Sequence, residues 1–531
     1  MKKLLEKFVR IDIPTFGRSG RILPPVAIYG SASYGPSVDA QSIVDKHKPS
    51  PNIARREDAE AATRTAVNLG FRTFITGGAG FKYSMMHHQG FPAITDQTIS
   101  IAISTPHIVN FEGVLPNTDC VAIVNQGGFP VRKYGFLSLT GADWNNAPGP
   151  GTLDELAQTL ESMVYGEVSK HRPVGLNNKD GFYDPVLKQL HLQTEHGYIQ
   201  PQVFERLIIQ QSGVDCVYAI KDRLLDLTDE RFARVTNNRI HFKGMETGGY
   251  VQFEGKFNAS RGRWKKGGFG APVIAMVTGR AVTDDAEKMA KRHALTDDID
   301  VERILTQIKV VQPNAIIMFV NEASRLARRI HDEARKLNLD TIGVQATQQI
   351  GNAMFDTGKT RVVDNSHLID HYILEHADVV MPMDLSMRSM SIFWQALVYA
   401  NIRDPNFALR EIVLFGKNDI HAHTMAMIQR MAKNGTINPR IFDDFYYIGQ
   451  ESEIGDIVSS IFKCEGKRSQ KEPFGDPPPE KIAHVAIPPK DTVIDFNPNT
   501  AASLHRLLRH LDPNVSVRRE AAARSALALA R

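Results

Sequence analysis

The 531-residue sequence holds only three cysteines, Cys120, Cys216 and Cys464, far apart along the chain. No CxxC pair or Cys/His cluster exists, which argues against a disulfide framework or a structural zinc site. Charge of one sign is nearly lacking as well. Lys and Arg number 63 against 59 Asp and Glu, a formal net charge of +4. Wholesale coating of nucleic acid is therefore not expected. No run of about 18 uncharged apolar residues occurs, so no membrane span is expected. The opening MKKLLEKFVRIDIP has no apolar stretch long enough for a signal peptide. Together these absences point to a reducing cytoplasm. What is present is ordinary for a globular protein, with 42% hydrophobic and 23% charged residues. At about 150 residues per domain, the length predicts about three domains, or two large ones with a tail.

Apolar runs alternate with helix-like segments. VAIYG (26–30), FRTFITGG (71–78), SIAIS (100–104), CVAIV (120–124), RPVGLNN (172–178) and VDCVYAI (214–220) read as strands. Between them, 56–69 and 152–164 carry apolar residues at helical spacing. Gly70 supplies a stop signal after the first helix. The rhythm restarts with strands at 271–279, 314–321, 339–346, 377–383 and 410–418. Helices are expected at 323–337, 391–399 and 422–431. Strand, helix, strand in this order predicts an α/β fold, a parallel sheet flanked by helices.

The chain reads as a tandem duplication. Both halves place a strand, an acidic or amide loop, a helix, a Gly-x-Ile segment and an aromatic strand in one order. The expected organisation is a first domain over 1–250, a basic glycine-rich linker over 251–270 and a second domain over 271–462. A proline-rich arm with short helices follows over 463–531.

Three segments carry chemistry. In PGPGTLDE, Gly149 and Gly151 allow close backbone approach and Thr152 opens a helix. A helix N-terminus is an anion site suited to a phosphate, with Glu155 on its first turn. The same Thr152-x-x-Glu155 spacing is equally a capping box, which closes a helix end without chemistry. In FITGGAG, a strand runs into Gly77 and Gly78, a turn that either cradles a phosphate or merely connects two elements. Gly30 and Ser31 form a similar turn after the first strand. Arg132-Lys133 is a basic pair suited to phosphate or carboxylate, or a solvated pair.

Weaker signals are read as structural. DTGKT (356–360) lacks the first glycine of a phosphate loop, since position 353 is Ala353. His87-His88, and His421 with His423, have no carboxylate or cysteine to complete a metal set. Arg261, Arg263, Lys265 and Lys266, interleaved with Trp264 and Phe269, read as a solvated linker rather than a nucleic-acid contact. No metal and no cofactor is expected.

In order, these segments resemble the Lonely Guy (LOG), or lysine-decarboxylase-like, family. The run is Gly30-Ser31-Ala32-Ser33, Gly77-Gly78-Ala79-Gly80, Arg132-Lys133, Pro148 to Glu155, Arg172-Pro173-Val174, then Asn177 with Gly181-Phe182-Tyr183-Asp184. It covers about residues 20–220. The resemblance implies a Rossmann-like fold and hydrolysis of the N-glycosidic bond of a nucleoside 5′-monophosphate, releasing base and (deoxy)ribose 5-phosphate. Arg132 and Glu155 then match the family's catalytic arginine and glutamate. Gly149, Gly151 and Thr152 match its phosphate loop, and Gly77 and Gly78 its other glycine turn. Gly30, Ser31 and Lys133 join the expected phosphate contacts. The loop departs from the family's PGGxGTxxE by one residue, reading Pro-Gly-Pro-Gly-Thr. In the second half PMDLSMRSM (382–390) replaces it without glycine, so that half is expected to be a non-catalytic copy. The expected assembly is a homo-oligomer or an intrachain pseudo-dimer, with the second half standing in for a dimer partner. The alternative is a catalytically inactive nucleotide sensor or a scaffold on the same fold.

Overall fold

The computed structural model describes residues 23–31, 51–77, 99–104, 120–123, 128–236 and 493–495, and 271–463 with interruptions, the longest at 347–359. Gly78, His87, His88, most of DTGKT, the linker and nearly all of the arm lie outside the described residues. No helix among the described residues is long and apolar enough to cross a membrane.

The first half is built from β1 (Val26–Tyr29), α1 (Pro51–Asn68), β2 (Thr73–Thr76), β3 (Ile99–Ser104), β4 (Cys120–Ile123), α2 (Gly128–Leu139), β5 (Ala142–Asn145), α3 (Pro150–Val164), β6 (Val174–Asn177), α4 (Asp184–Glu195), β7 (Leu207–Gln210) and α5 (Gly213–Leu225). The second contains β8 (Val273–Val277), α6 (Val301–Val311), β9 (Ile316–Val320), α7 (Arg325–Lys336), β10 (Asp340–Ala346), β11 (Thr360–Val363), α8 (Ser366–His376), β12 (Val379–Pro382), α9 (Met387–Ile402), β13 (Glu411–Phe415), α10 (Ala422–Lys433), β14 (Phe445–Ile448) and α11 (Ile454–Lys463). Then β15 (Val493–Asp495) returns to the first half, pairing with β4.

One sheet has eight strands in the order β15-β4-β3-β2-β1-β5-β6-β7, the other seven in the order β11-β10-β9-β8-β12-β13-β14. Without β15 the two orders coincide strand for strand, as a duplication requires. All pairings are parallel. The strands are short and apolar because helices cover both faces. The strand order reverses between β1 and β5, and again between β8 and β12. In such sheets a crevice opens at the strands' carboxyl ends at this point.

One expected strand is a helix. VDCVYAI lies inside α5, where Ser212 caps the start by accepting the Asp215 N–H. Cys216, Val217, Ile220 and Leu224 are buried at helical spacing. The strand of this unit is LIIQ, just before it. Burial pushes the Cys216 thiol far above its ordinary range.

The halves pack mainly through α3 against α9. Leu153, Leu156 and Leu160 from α3 share one buried core with Phe393, Trp394 and Leu397 from α9. Burying this face supplies the association energy.

Candidate active site

Strand register fixes which residues of the two halves correspond. Val26 pairs with Ala142, and Ile274 with Val379. Counting from these pairs, Ser31 matches Gly279, Ala147 matches Asp384, and Gly149 matches Ser386. Gly151 likewise matches Arg388, Thr152 matches Ser389, Arg132 matches Ile369 and Glu155 matches Ile392.

In the first half α3 begins two residues earlier than its pattern suggests. Pro150 takes the first helical turn, where its missing N–H has no intrahelical acceptor to lose. Gly149 is the N-cap, and no side chain caps this end. The capping box is therefore not formed. Thr152 lies within the first turn, and its buried hydroxyl has no hydrogen-bond partner among the described residues. The first-turn amides carry the positive end of the helix dipole. Gly149 is squeezed: a Cβ there would lie 2.8 Å from Ser31 Oγ and 3.2 Å from the Thr436 carbonyl oxygen. At Gly151 a Cβ would meet nothing within 4 Å.

Glu155 turns to Arg132. Arg132 Nη2 lies 2.9 Å from Glu155 Oε1, and both side chains are 7% exposed. Arg132 Nε also donates to the Ile103 carbonyl at 3.0 Å, and its guanidinium sits 4.8 Å from the Phe136 ring centroid. The guanidinium is thus held by β3, α2 and α3 together. Gly77 owes its identity to this arginine: a Cβ there would lie 1.6 Å from Arg132 Nη2. Tyr29 is buried, and burial, then the charges of Asp143 and Glu155, push its phenol well above the usual range.

Gly30 follows β1, and the neighbouring Ser31 N–H donates to the Ala147 carbonyl at 3.1 Å, joining the β1 turn to the approach to α3. Lys133 pairs with a carboxylate of its own half. Its Nζ lies 2.6 Å from Asp154 Oδ1 and 3.5 Å from Gln395 Oε1 of the second half, and it is buried. Burial raises the Asp154 carboxyl to about 6 against the pull of Lys133. Arg172 is likewise structural: its Nη2 meets Asp143 Oδ1 at 2.6 Å and its Nε meets Oδ2 at 2.7 Å, with neither side chain exposed.

The margin of the site includes second-half residues that no local motif marks. Arg55 of α1 donates to Asn434 Oδ1 at 3.2 Å and stacks 4.5 Å from the Phe182 ring centroid. Arg430 donates to the Gly181 carbonyl. These contacts depend on topology and not on spacing, so a reading of the sequence had no signal for them.

In the second half the acid–guanidinium pair is gone. Ile369 and Ile392 stand at its positions, both fully buried. Arg388 takes no free anion, being paired with protein carboxylates. Among the described residues no group of three His, Cys, Asp or Glu could hold a metal ion. His421 is fully buried, and burial lowers it to about 3.

Residues 87–220 match the family described as "Possible lysine decarboxylase". The cytokinin riboside 5′-monophosphate phosphoribohydrolase LOG of rice, Oryza sativa subsp. japonica, is 39% identical over 75 residues, 14% of this chain and 26% of the relative. A probable enzyme of that name from the same plant is 30% identical over 88 residues, 16% of this chain and 32% of the relative. One from Arabidopsis thaliana is 30% identical over 105 residues, 19% of this chain and 44% of the relative. The chain thus spans less than half the length of each of these relatives.

Proposed function

With residues 87–220 belonging to the lysine-decarboxylase-like, or LOG, family, we propose that this protein is a phosphoribohydrolase of a nucleoside 5′-monophosphate. One observation carries the reading. An ion pair between Arg132 and Glu155 lies one helical turn from an uncapped helix start with an unsatisfied Thr152 hydroxyl. Such a start suits a 5′-phosphate, gripped by first-turn amides and the hydroxyl. The grip on the phosphate positions the sugar beside the carboxylate.

Water adds to the sugar C1′ while the C1′–N bond breaks. The bonding pair leaves with the base, which takes up a proton, and water supplies the new sugar hydroxyl. Positive charge builds on the sugar as the base departs. Glu155 stabilises that charge and orients the water. Arg132 holds Glu155 aimed. The second half serves as a built-in partner, its Thr436 and Asn434 bordering Gly149 and Arg55.

The test is incubation of the full chain with a panel of nucleoside 5′-monophosphates, scored for free base and sugar phosphate. Glu155→Gln should abolish release and leave binding in place. Release that survives the change removes Glu155 from the reaction. Tight binding without release by the parent chain points instead to a nucleotide sensor.

A further inference from the structure

Equivalent helix starts in the two halves are finished in opposite ways. At α3, among the described residues, no side chain caps the end and the Thr152 hydroxyl has no partner. At α9 every counterpart is satisfied. Ser386 Oγ accepts the Ser389 N–H at 3.1 Å, which is the ordinary cap. Asp384 then adds a second acceptor. Its Oδ1 accepts the Ser386 N–H at 3.0 Å and the Ser389 hydroxyl at 2.6 Å, and its Oδ2 accepts the Gly279 N–H at 3.1 Å. Ser389 is the counterpart of Thr152, so the carboxylate, beside the Val277 carbonyl at 3.0 Å, serves the hydroxyl position that has no partner among the described residues of the first half.

We infer that Asp384 is a built-in substitute for an anionic ligand, its carboxylate filling in the second half the seat that the Gly149–Thr152 bend leaves open in the first. The inference rests on reading that bend as an anion seat. Further facts support it. Asp384 is 2% exposed, and among the described residues no ion pair reaches it. The Ser386 amide and Ser389 hydroxyl at the helix start, with the Gly279 amide from the turn after β8, form a donor set of the kind that holds an anion such as phosphate; in the first half the counterpart of the Gly279 amide, Ser31 N–H, goes to the Ala147 carbonyl. Tyr198 from the first half packs with Leu385 and Ile420 in one buried apolar cluster beside the seat. A Cβ on Gly279 would lie 2.6 Å from Ser386 Cβ and 3.1 Å from Arg388 Cβ, whereas among the described residues a Cβ on Gly151, the counterpart of Arg388, would meet nothing within 4 Å. Of the two equivalent bends, one is thereby left as a ligand seat.

Asp384→Ala and Asp384→Asn in the full chain, probed with inorganic phosphate by equilibrium dialysis and thermal melting, test this. The Asp384→Ala chain should bind one more phosphate than the parent. Its phosphate-dependent rise in Tm should exceed the parent's and should not be reproduced by chloride at equal ionic strength. The Asp384→Asn chain keeps the volume and one acceptor oxygen, loses the acceptor for the Gly279 N–H, and should gain no phosphate. Because each count is a difference from the parent, a first half that binds nothing leaves the test intact. An Asp384→Ala chain that binds no more phosphate than the parent overturns the inference. So do two phosphates on the parent, whether or not the variant folds.

Discussion

Arg388 Nη1 lies 2.6 Å from Glu161 Oε1, and neither side chain has exposed surface. The arginine belongs to α9 and the glutamate to α3, so this contact ties the halves together. Asp370 Oδ1 at 2.9 Å and Glu322 Oε1 at 3.2 Å complete the group. One guanidinium thus serves three carboxylates, and burial pushes the Glu161 carboxyl well above its usual range. Two separate copies of one half could not reproduce this arrangement, since Arg388 answers to Gly151 and Glu161 to Val398.

Arg388→Met should be severe, because it strands buried carboxylates. A loss of about 3–5 kcal/mol is expected from removing one partner of a buried pair. Urea unfolding measures it. Adding Glu161→Gln should give a total loss smaller than the sum of the two single changes, since the residues touch.

Gly77→Ala should damage the site more than the fold. The new methyl would collide with Arg132 Nη2 and push it off Glu155. A displacement of about 1 Å can cost about a hundredfold in rate. A drop in kcat/KM of that order is expected, with a lowered Tm as well, because the Arg132–Glu155 pair is buried. An unaltered rate would detach Arg132 from catalysis.

The two glycines of the bend should respond differently. Gly149→Ala meets the Thr436 carbonyl, part of the backbone, and should weaken phosphate binding. Gly151→Ala meets nothing and should raise stability by up to about 1 kcal/mol through helix propensity. Phosphate titration and thermal melting of both variants separate the two effects.

Acid should destabilise the protein through buried histidines. His421 is lowered to about 3 and His371 to about 4, so the folded chain holds them neutral. The unfolded chain takes up their protons as pH falls below about 6.5, and stability is lost from there downward. Asp154, raised to about 6, works the other way and gains stability as pH falls from about 6 to about 4. His421→Phe should remove about 2 kcal/mol of the loss between pH 7 and pH 5, read from urea midpoints at each pH.

Much of this was legible in the chain. Short apolar runs ending in glycine or asparagine marked most strands, because parallel strands buried on both faces need uninterrupted apolar residues. The duplication showed in the order of segments, and strand order bears it out. VDCVYAI misled because its apolar residues are dense enough to fit either period over seven positions. Arg132 and Glu155 could be named by resemblance, and the fold brings them within 2.9 Å. Two things were out of reach. Thr152-x-x-Glu155 has the spacing of a capping box, and only the earlier start of the helix, with Gly149 as its N-cap, decides against it. Lys133, beside Arg132 in sequence, points to a different partner because adjacent helical residues face different ways.

The outermost described strand of the first sheet is synthesised long after its neighbour. Val493–Asp495 lies along β4, whose residues Cys120–Ile123 leave the ribosome far earlier. At about 5–20 residues per second, roughly 20–75 s separate the two strands during translation. Throughout that interval the nascent first half carries an unpaired border able to recruit another chain. The C-terminal segment is therefore a late seal, and messages truncated ahead of it would yield protein prone to sticking edge to edge.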